Sequence, residues 1–292
     1  MPDFLLLDRL LHRAEIVLGR LEACLPPAPP LPDWQSAIAW RWRRSRTCGY
    51  LQPIKQPHRI TLADLECIDD QKARVVANTR QFVARKAANN VLLTGARGSG
   101  KSSLVKAMLH EFANRGLRLI EVDKDDLVDL PDIVDLLAGR QERFIIFCDD
   151  LSFAAGESSF KALKSVLDGS LSAAPDNVLI YATSNRRHLM PEYFSENLES
   201  QRVGDEIHPG EAMEEKISLS ERFGLWISFY PFDQDAYLTI VEHWLKHFGV
   251  SGQNREIIER EALNWALARG SRNGRVAWQF AKDWSAQHRK KK

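Results

Sequence analysis

The stretch NNVLLTGARGSGKSSLVKA, residues 89–107, constrains this chain more than any other part of it. An apolar strand, Val91 to Thr94, runs into a glycine-rich loop and then into a helical pattern marked by Leu104, Val105 and Met108. Gly95, Gly100, Lys101 and Ser102 fit G-x-x-x-x-G-K-[ST], the spacing of a phosphate-binding loop. Through Gly95, Ala96, Arg97, Gly98, Ser99 and Gly100, the glycines let backbone N–H groups turn inward around phosphate oxygens, where a Cβ would hinder them. The helix that follows, beginning Lys101, Ser102, Ser103, points its positive end at the same anion. Lys101 would neutralise the β- and γ-phosphates of a nucleotide, and the Ser102 hydroxyl would ligate Mg²⁺. The strand before and the helix after the loop argue against a chance run of glycines.

Around this loop the pattern alternates between helix and strand. Helix is expected at 70–87, 101–115, 131–139 and 158–171; strand is expected at 91–94 and in LRLIEVD, RFIIFCDD, VLIYATSN and LWISFYPF. Apolar strands without alternation are buried on both faces, which implies a parallel sheet sandwiched by helices. A long polar loop separates the fourth of these strands from the fifth. After Asp233 the pattern is helical, in pieces around 233–248, 256–269 and 274–288.

The 292 residues suffice for one large core and a smaller attached one. A net charge of +1 argues against a generally basic nucleic-acid binder. The four cysteines, Cys24, Cys48, Cys67 and Cys148, show no metal-ligand rhythm, and Cys148 within an apolar run reads as a buried thiol in a reducing cytosol. The FLLL near the start is broken by Asp8 and Arg9 and lacks a signal-peptide layout, and no apolar run approaches the ~20 residues of a membrane span. A cytoplasmic protein without a membrane partner is the expectation.

Leu7, Leu10, Leu11, Ala14, Val17, Leu18 and Leu21 stand at helical spacing, so residues 4–24 are expected to form an amphipathic helix. PPAPPLP at 26–32 ends it as a stiff linker. Next come Trp40 and Trp42 interleaved with Arg41, Arg43, Arg44 and Arg46. Such a run can grip single-stranded nucleic acid by stacking and phosphate contacts. Equally it can pack its tryptophans on the main domain and solvate its arginines, the reading favoured by its shortness and the flat overall charge.

Further site residues stand at strand ends. RFIIFCDD delivers Asp149 to the carboxyl edge of the sheet, where Mg²⁺ sits beside a phosphate loop, and Asp150 beside it can orient or deprotonate an attacking water. A loop-capping Asp pair is the alternative. IYATSN ends in Asn185, whose amide can hydrogen-bond the γ-phosphate or the water; otherwise it is a turn residue. Arg222 in SERFG and Arg275 in SRNGRVA each offer a fork of donors to phosphate oxygens, or a surface salt bridge. His243 and His247, four apart on a helix, lack a third ligand and read as a surface or interface pair.

The order phosphate loop, FIIFCDD, ATSN, SERFG and a helical segment with a glycine-flanked arginine resembles the AAA+ ATPases. The blocks NNVLLTGARGSGKSSLVKA, FCDDLSF, LKSVLDG, YATSNRRHL and SLSERFGL resemble more narrowly the bacterial AAA+ family of unknown function numbered 815, over about residues 36–288. The resemblance implies a three-layer αβα core with a five-stranded parallel sheet at 60–232, a helical lid at 233–292 and an N-terminal helical extension at 1–59. It implies ATP and Mg²⁺ as cofactors, with Lys101 and Ser102 on phosphate and metal, Asp149 on the metal and Asp150 as the catalytic carboxylate. It makes Asn185 the first sensor, Arg222 an arginine finger acting in trans in a homo-oligomer, and Arg275 the second sensor. The client would be a macromolecule, a protein complex or DNA.

The chain departs from the AAA+ pattern in places. Asp150 stands where many AAA+ motors carry Glu, one methylene longer, although Asp-Asp also resembles the replication-initiator and helicase-loader branch. Cys67 in LECIDDQK stands where related proteins often carry Gly near the adenine. DKDDLVDLP lacks the aromatic–apolar–Gly motif of protein-threading pores. Besides an ATPase, two other functions fit a phosphate loop: an ATP-gated binding module with negligible turnover, and a small-molecule kinase, in which the sensors and finger would have no role.

Overall fold

Strand β5, Arg143–Cys148, is buried at every position, and its side chains alternate between two separate hydrophobic layers. Phe144, Ile146 and Cys148 pack on one side, Ile145 and Phe147 on the other. The same division holds for β3 (Val91–Gly95), β4 (Leu117–Glu121) and β6 (Val178–Ser184). Leu92, Ile120 and Ile180 face the first layer; Leu93, Leu119 and Tyr181 face the second. A sheet apolar on both faces must be covered on both. Helices α2 (Asp69–Val83) and α3 (Lys101–Phe112) cover the second face, while α4 (Leu130–Leu137) and α5 (Ser158–Asp168) cover the first.

The computed structural model describes residues 3–24, 32–45, 48–153, 157–169, 175–185, 201–203, 206–208, 219–250 and 254–288. The linker residues 26–31, Arg46 and most of the long polar loop, including the residues after Asn185 in YATSNRRHL, lie outside the described residues. Short strands β7 (Gln201–Val203) and β8 (Glu206–His208) pair antiparallel within that loop.

The main sheet has seven strands, in the order β2-β1-β4-β5-β6-β3-β9, with β9 at Leu225–Phe229. The five expected strands, β3, β4, β5, β6 and β9, are parallel. The other two correct the expectation of a five-stranded sheet beside a wholly helical extension. Strands β1 (Ala39–Arg44) and β2 (Gly49–Pro53) form a hairpin whose first strand pairs in parallel with β4. The reason lies in the two-residue period of the Trp/Arg run. Trp40 and Trp42 enter the first layer with Trp34, which meets Phe144 edge-on. The arginines reach carboxylates instead of solvent alone: Arg41 donates to Glu121 at 2.8 Å, and Arg43 and Arg44 pair with Asp123 and Asp129. Trp42 Nε1 also donates to Asp129. The segment packs, as the favoured reading expected, and its cations face carboxylates of the same chain.

Helix α2 stops at Val83, short of the expected 87. Arg85 takes the left-handed conformation, φ 58°, and the Lys86 N–H returns to the Gln81 carbonyl, a left-handed C-cap made without glycine. Three helices follow the sheet: α6 (Gln234–His247), α7 (Arg255–Ala268) and α8 (Gly274–His288). Asp233 and Asn254 cap the first two by accepting from Ala236 and Glu256 N–H groups. They share their own apolar cluster around Tyr237, Val241, Ala262, Ala277 and Phe280. Burial pushes the Cys148 thiol up to about 12, so it packs as an apolar group. Among the described residues no helix is long and apolar enough to cross a membrane.

If the hairpin belongs to the sheet, Trp40→Ala should cost about 3–5 kcal/mol, read as a lower denaturant midpoint in equilibrium unfolding. A hairpin merely appended to a finished sheet would lose less than ~1 kcal/mol.

Candidate functional site

The loop between β3 and α3 begins under steric constraint. Gly95 has φ 126°, and a Cβ there would lie 1.9 Å from the Phe229 carbonyl oxygen. Only glycine lets β3 turn away while lying beside β9. The Ala96 N–H donates to that carbonyl, and Ser99 Oγ donates to the Ala96 carbonyl at 2.7 Å, closing the loop on itself. Gly98 (φ 72°) lies against the Asn273 side chain, and Gly100 (φ 99°) starts α3 without a side-chain cap and with no acidic residue in the first turn. The helix N-terminus thus presents backbone donors to an anion.

Lys101 is buried, and its Nζ donates to the Gly95 and Ala96 carbonyls at 2.8 and 2.7 Å and to Asn185 Oδ1 at 3.1 Å. Burial holds its pKa below the ordinary lysine value, against the opposing charges of Asp150 and Asp149. Asn185 Nδ2 donates in turn to Asp150 Oδ1. Lys101, Asn185 and Asp150 therefore form one connected chain of hydrogen bonds.

Asp149 Oδ1 accepts from Ser102 Oγ at 2.6 Å and from Thr183 Oγ1 at 2.6 Å. A carboxylate and a hydroxyl this close at the mouth of the glycine-rich loop are hard oxygen donors of the kind that could hold Mg²⁺. Thr183, which the sequence reading passed over, organises both aspartates. Its Oγ1 also accepts the Asp150 N–H at 2.8 Å, and its carbonyl accepts the Leu151 N–H. These bonds hold Asp150 at φ 51°, an uncommon conformation for a non-glycine residue.

A cavity of about 620 Å³ joins these groups. Arg97, Gly98, Ser99, Gly100, Lys101, Ser102 and Ser103 line its floor, with Asp149, Asp150 and Asn185 at the carboxyl edge of the sheet. Arg275 lines it from the start of α8, where the Gly274 N–H donates to the Gly98 carbonyl at 2.9 Å. Its lining also includes Ile60, Leu65 and Ile68 before α2 and Phe232, Ile240 and Trp244 around α6, with His58, Asp64 and Glu66 among them. Nothing in their spacing marks these residues, because they meet only in the folded chain. Cys67 does keep the backbone expected of a glycine, with φ 61°.

Arg222 stands apart. It lies in the turn ahead of β9, outside the cavity lining, and its Nε donates to Asp168 at the end of α5. His243 pairs with Asp64 and Glu66, and the His247 ring contacts Trp244 and Phe248. No group of three or more His, Cys, Asp or Glu side chains able to hold a metal occurs among the described residues.

The family described as "Protein of unknown function (DUF815)" matches residues 35–288, and the chain belongs to it. Solved structures with a similar fold include the Thermotoga maritima RuvB Holliday junction branch migration motor, 17% identical with a TM-score of 0.46 over 77% of this chain and 63% of that one. Another is the Aeropyrum pernix ORC1 protein in complex with DNA, 15% identical, TM-score 0.49, covering 78% and 62% of the two chains. A third is the FIGL-1 AAA domain in complex with ADP, 15% identical, TM-score 0.48, covering 79% and 74%. This chain thus spans less than two thirds of the first and second of these. The search among curated proteins finds no match.

Thr183→Val keeps the side-chain shape and removes the hydroxyl, leaving Asp149 short of a donor and the Asp150 N–H without its acceptor. It should cost about 1–3 kcal/mol in chemical denaturation. A loss below ~0.5 kcal/mol would mean that water serves both aspartates equally well.

Proposed function

We propose that this member of the DUF815 family is an AAA+ ATPase, with residues 60–232 as the nucleotide-binding core, joined by the 39–53 hairpin, and 233–292 as a lid. The observation that carries this is the hydrogen-bonded chain Lys101–Asn185–Asp150 beside the Ser102–Asp149 pair, all on one wall of a cavity that the α8 helix also lines. In this reading the loop amides and the α3 N-terminus bind the phosphates, and Lys101 neutralises their charge. Ser102 and Asp149 would hold Mg²⁺, which when bound supplies charge stabilisation to the transferring phosphoryl group. Asp150 orients water and accepts its proton, so ATP and water give ADP and phosphate. Asn185, tied to both Lys101 and Asp150, senses whether a γ-phosphate lies between them. The base packs among Ile68, Ile240 and Trp244. The Gly274–Gly98 bond ties the lid to the loop, so loss of the γ-phosphate contact to Arg275 shifts a two-state equilibrium of the lid.

Arg222 is the finger in this scheme. It points at Asp168 rather than into its own cavity, so it serves the nucleotide of a neighbouring copy after leaving that carboxylate. Such a residue can be worth ~10³–10⁵ in rate, about 4–7 kcal/mol. The cytoplasm is the expected compartment, and the client, a protein complex or DNA, is best captured with an Asp150→Asn chain that retains ATP.

A second reading is an ATP-gated binding module with negligible turnover. The engagement of Asp150 by Asn185 favours it, since a short carboxylate already hydrogen-bonded is a weaker base. Phosphate release with and without DNA separates the two readings: none under any condition favours the module.

Lys101→Ala should abolish tight ATP binding in calorimetry; retained affinity would remove the site assignment. Asp150→Asn should bind ATP and lose turnover. Arg222→Ala should bind ATP nearly normally yet lose about 10³-fold in hydrolysis, and mixing it with Lys101→Ala should restore partial activity, because some interfaces then pair an intact loop with an intact finger. No rescue in a demonstrably mixed oligomer would leave Arg222 as an ordinary salt-bridge residue.

A further inference from the structure

Helix α1, Asp3–Cys24, is 22 residues long, and every described side chain on it, from Leu7 to Arg20, is exposed. Leu10, Leu11 and Leu18 are 59%, 58% and 57% exposed, and Leu7 and Val17 lie on the same face. Helical stability in proteins comes mostly from packing of an apolar face rather than from propensity, and Ile16, Val17 and Gly19 lower the intrinsic propensity of this helix. Its apolar stripe therefore needs a covering partner.

The charges beside the stripe identify that partner. Projected at 3.6 residues per turn, Asp8 and Glu15 run along one border of the apolar face, while Arg13 and Arg20 run along the other. Two such helices packed face to face and parallel bring the acidic border of each against the basic border of its mate, on both sides of the seam. Antiparallel packing would instead set acid against acid and base against base. Each arginine lies five residues beyond an acid, about 7.5 Å along the axis, within reach of a side chain that leans toward the helix N-terminus. An anionic membrane is a poorer match, because a polar border carrying Asp8 and Glu15 would face the lipid headgroups. We infer that α1 is a self-association element, which pairs in parallel with α1 of a second copy of this chain through the Leu7–Leu18 face. This inference is independent of the nucleotide site.

The test is the mass of the full chain in solution, by sedimentation without nucleotide, so that any assembly through the nucleotide site is not what is read. The unaltered chain should associate. Arg13→Glu with Arg20→Glu makes both borders acidic and should weaken association at least about tenfold. Asp8→Arg with Glu15→Arg makes both borders basic and should do the same. An equimolar mixture of the two double variants should regain association as a mixed pair, and Lys101→Ala should leave association unchanged. Because the described side chains of α1 are exposed, the variants in α1 should keep the melting temperature of the parent. A parent that stays monomeric at about 100 µM would overturn the inference. So would association that survives Leu10→Asp with Leu18→Asp, or a monomer that sediments with phosphatidylserine vesicles.

Discussion

The site depends on the register of three buried parallel strands. Thr94 of β3 pairs with Ser184 of β6, and Ala182 of β6 pairs with Cys148 of β5. Side chains on a strand alternate faces, so a slip of one residue would send each of them into the opposite packed layer. Both faces of these strands are filled, which makes such a slip costly. The register brings Thr183 beside Asp149, carries Asn185 one step past the strand end and sets the glycine-rich loop next to both. The hydrogen bonds that join one element of the site to another span residues far apart in sequence: Ser102 to Asp149, Asn185 to Lys101, Asp150 to Thr183.

Where the chain leaves the strands, it does so under strain. Gly95, Gly98 and Gly100 absorb much of it, because the loop turns through positive φ. Asp150 and Cys67 take up the same region with a Cβ present, each at a cost of order 1–3 kcal/mol. For Asp150 the compensation is visible: a backbone bond to Thr183 Oγ1 and a side-chain bond from Asn185. Cys67 has a long sulfur contact to the Ala236 carbonyl, which links the strained turn to the start of α6. The left-handed residues outside the glycines thus include Asp150, which lines the cavity, and Cys67, whose neighbours Glu66 and Ile68 do.

Electrostatics divides the chain into two regimes. In the cavity one buried cation, Lys101, faces two carboxylates and a set of backbone dipoles, and burial pulls its pKa down while those carboxylates pull it up. On the proposed reading, a polyphosphate bound there would add charge of the sign that favours protonated lysine. On the far edge of the sheet, Arg41, Arg43 and Arg44 pair with Glu121, Asp123 and Asp129 in partly exposed positions, where such pairs contribute little individually. They set the edge of the sheet rather than its stability, which rests on Trp34, Trp40 and Trp42 beneath.

Much of the fold was legible because it is local or periodic. Apolar runs without alternation identified the five parallel strands, and the glycine-rich loop, Asp149, Asp150 and Asn185 sit at strand ends where a short pattern suffices to find them. The Trp/Arg hairpin carried its two-residue period in plain sight, yet its membership of the sheet depended on an unpaired edge of β4 that no short window displays. Thr183 was hidden for a related reason: a threonine inside an apolar strand looks structural until the aspartates of the neighbouring strand are placed beside it. The apolar part of the cavity lining and the Arg222–Asp168 pair are likewise products of the meeting of segments 54 to about 180 residues apart. By itself the sequence determined which backbone conformations were available and where polar groups would end a strand, since both follow from local sterics and side-chain periodicity. Only the tertiary structure decided which of those groups meet, because long-range pairing is set by strand register and by the burial of both sheet faces at once.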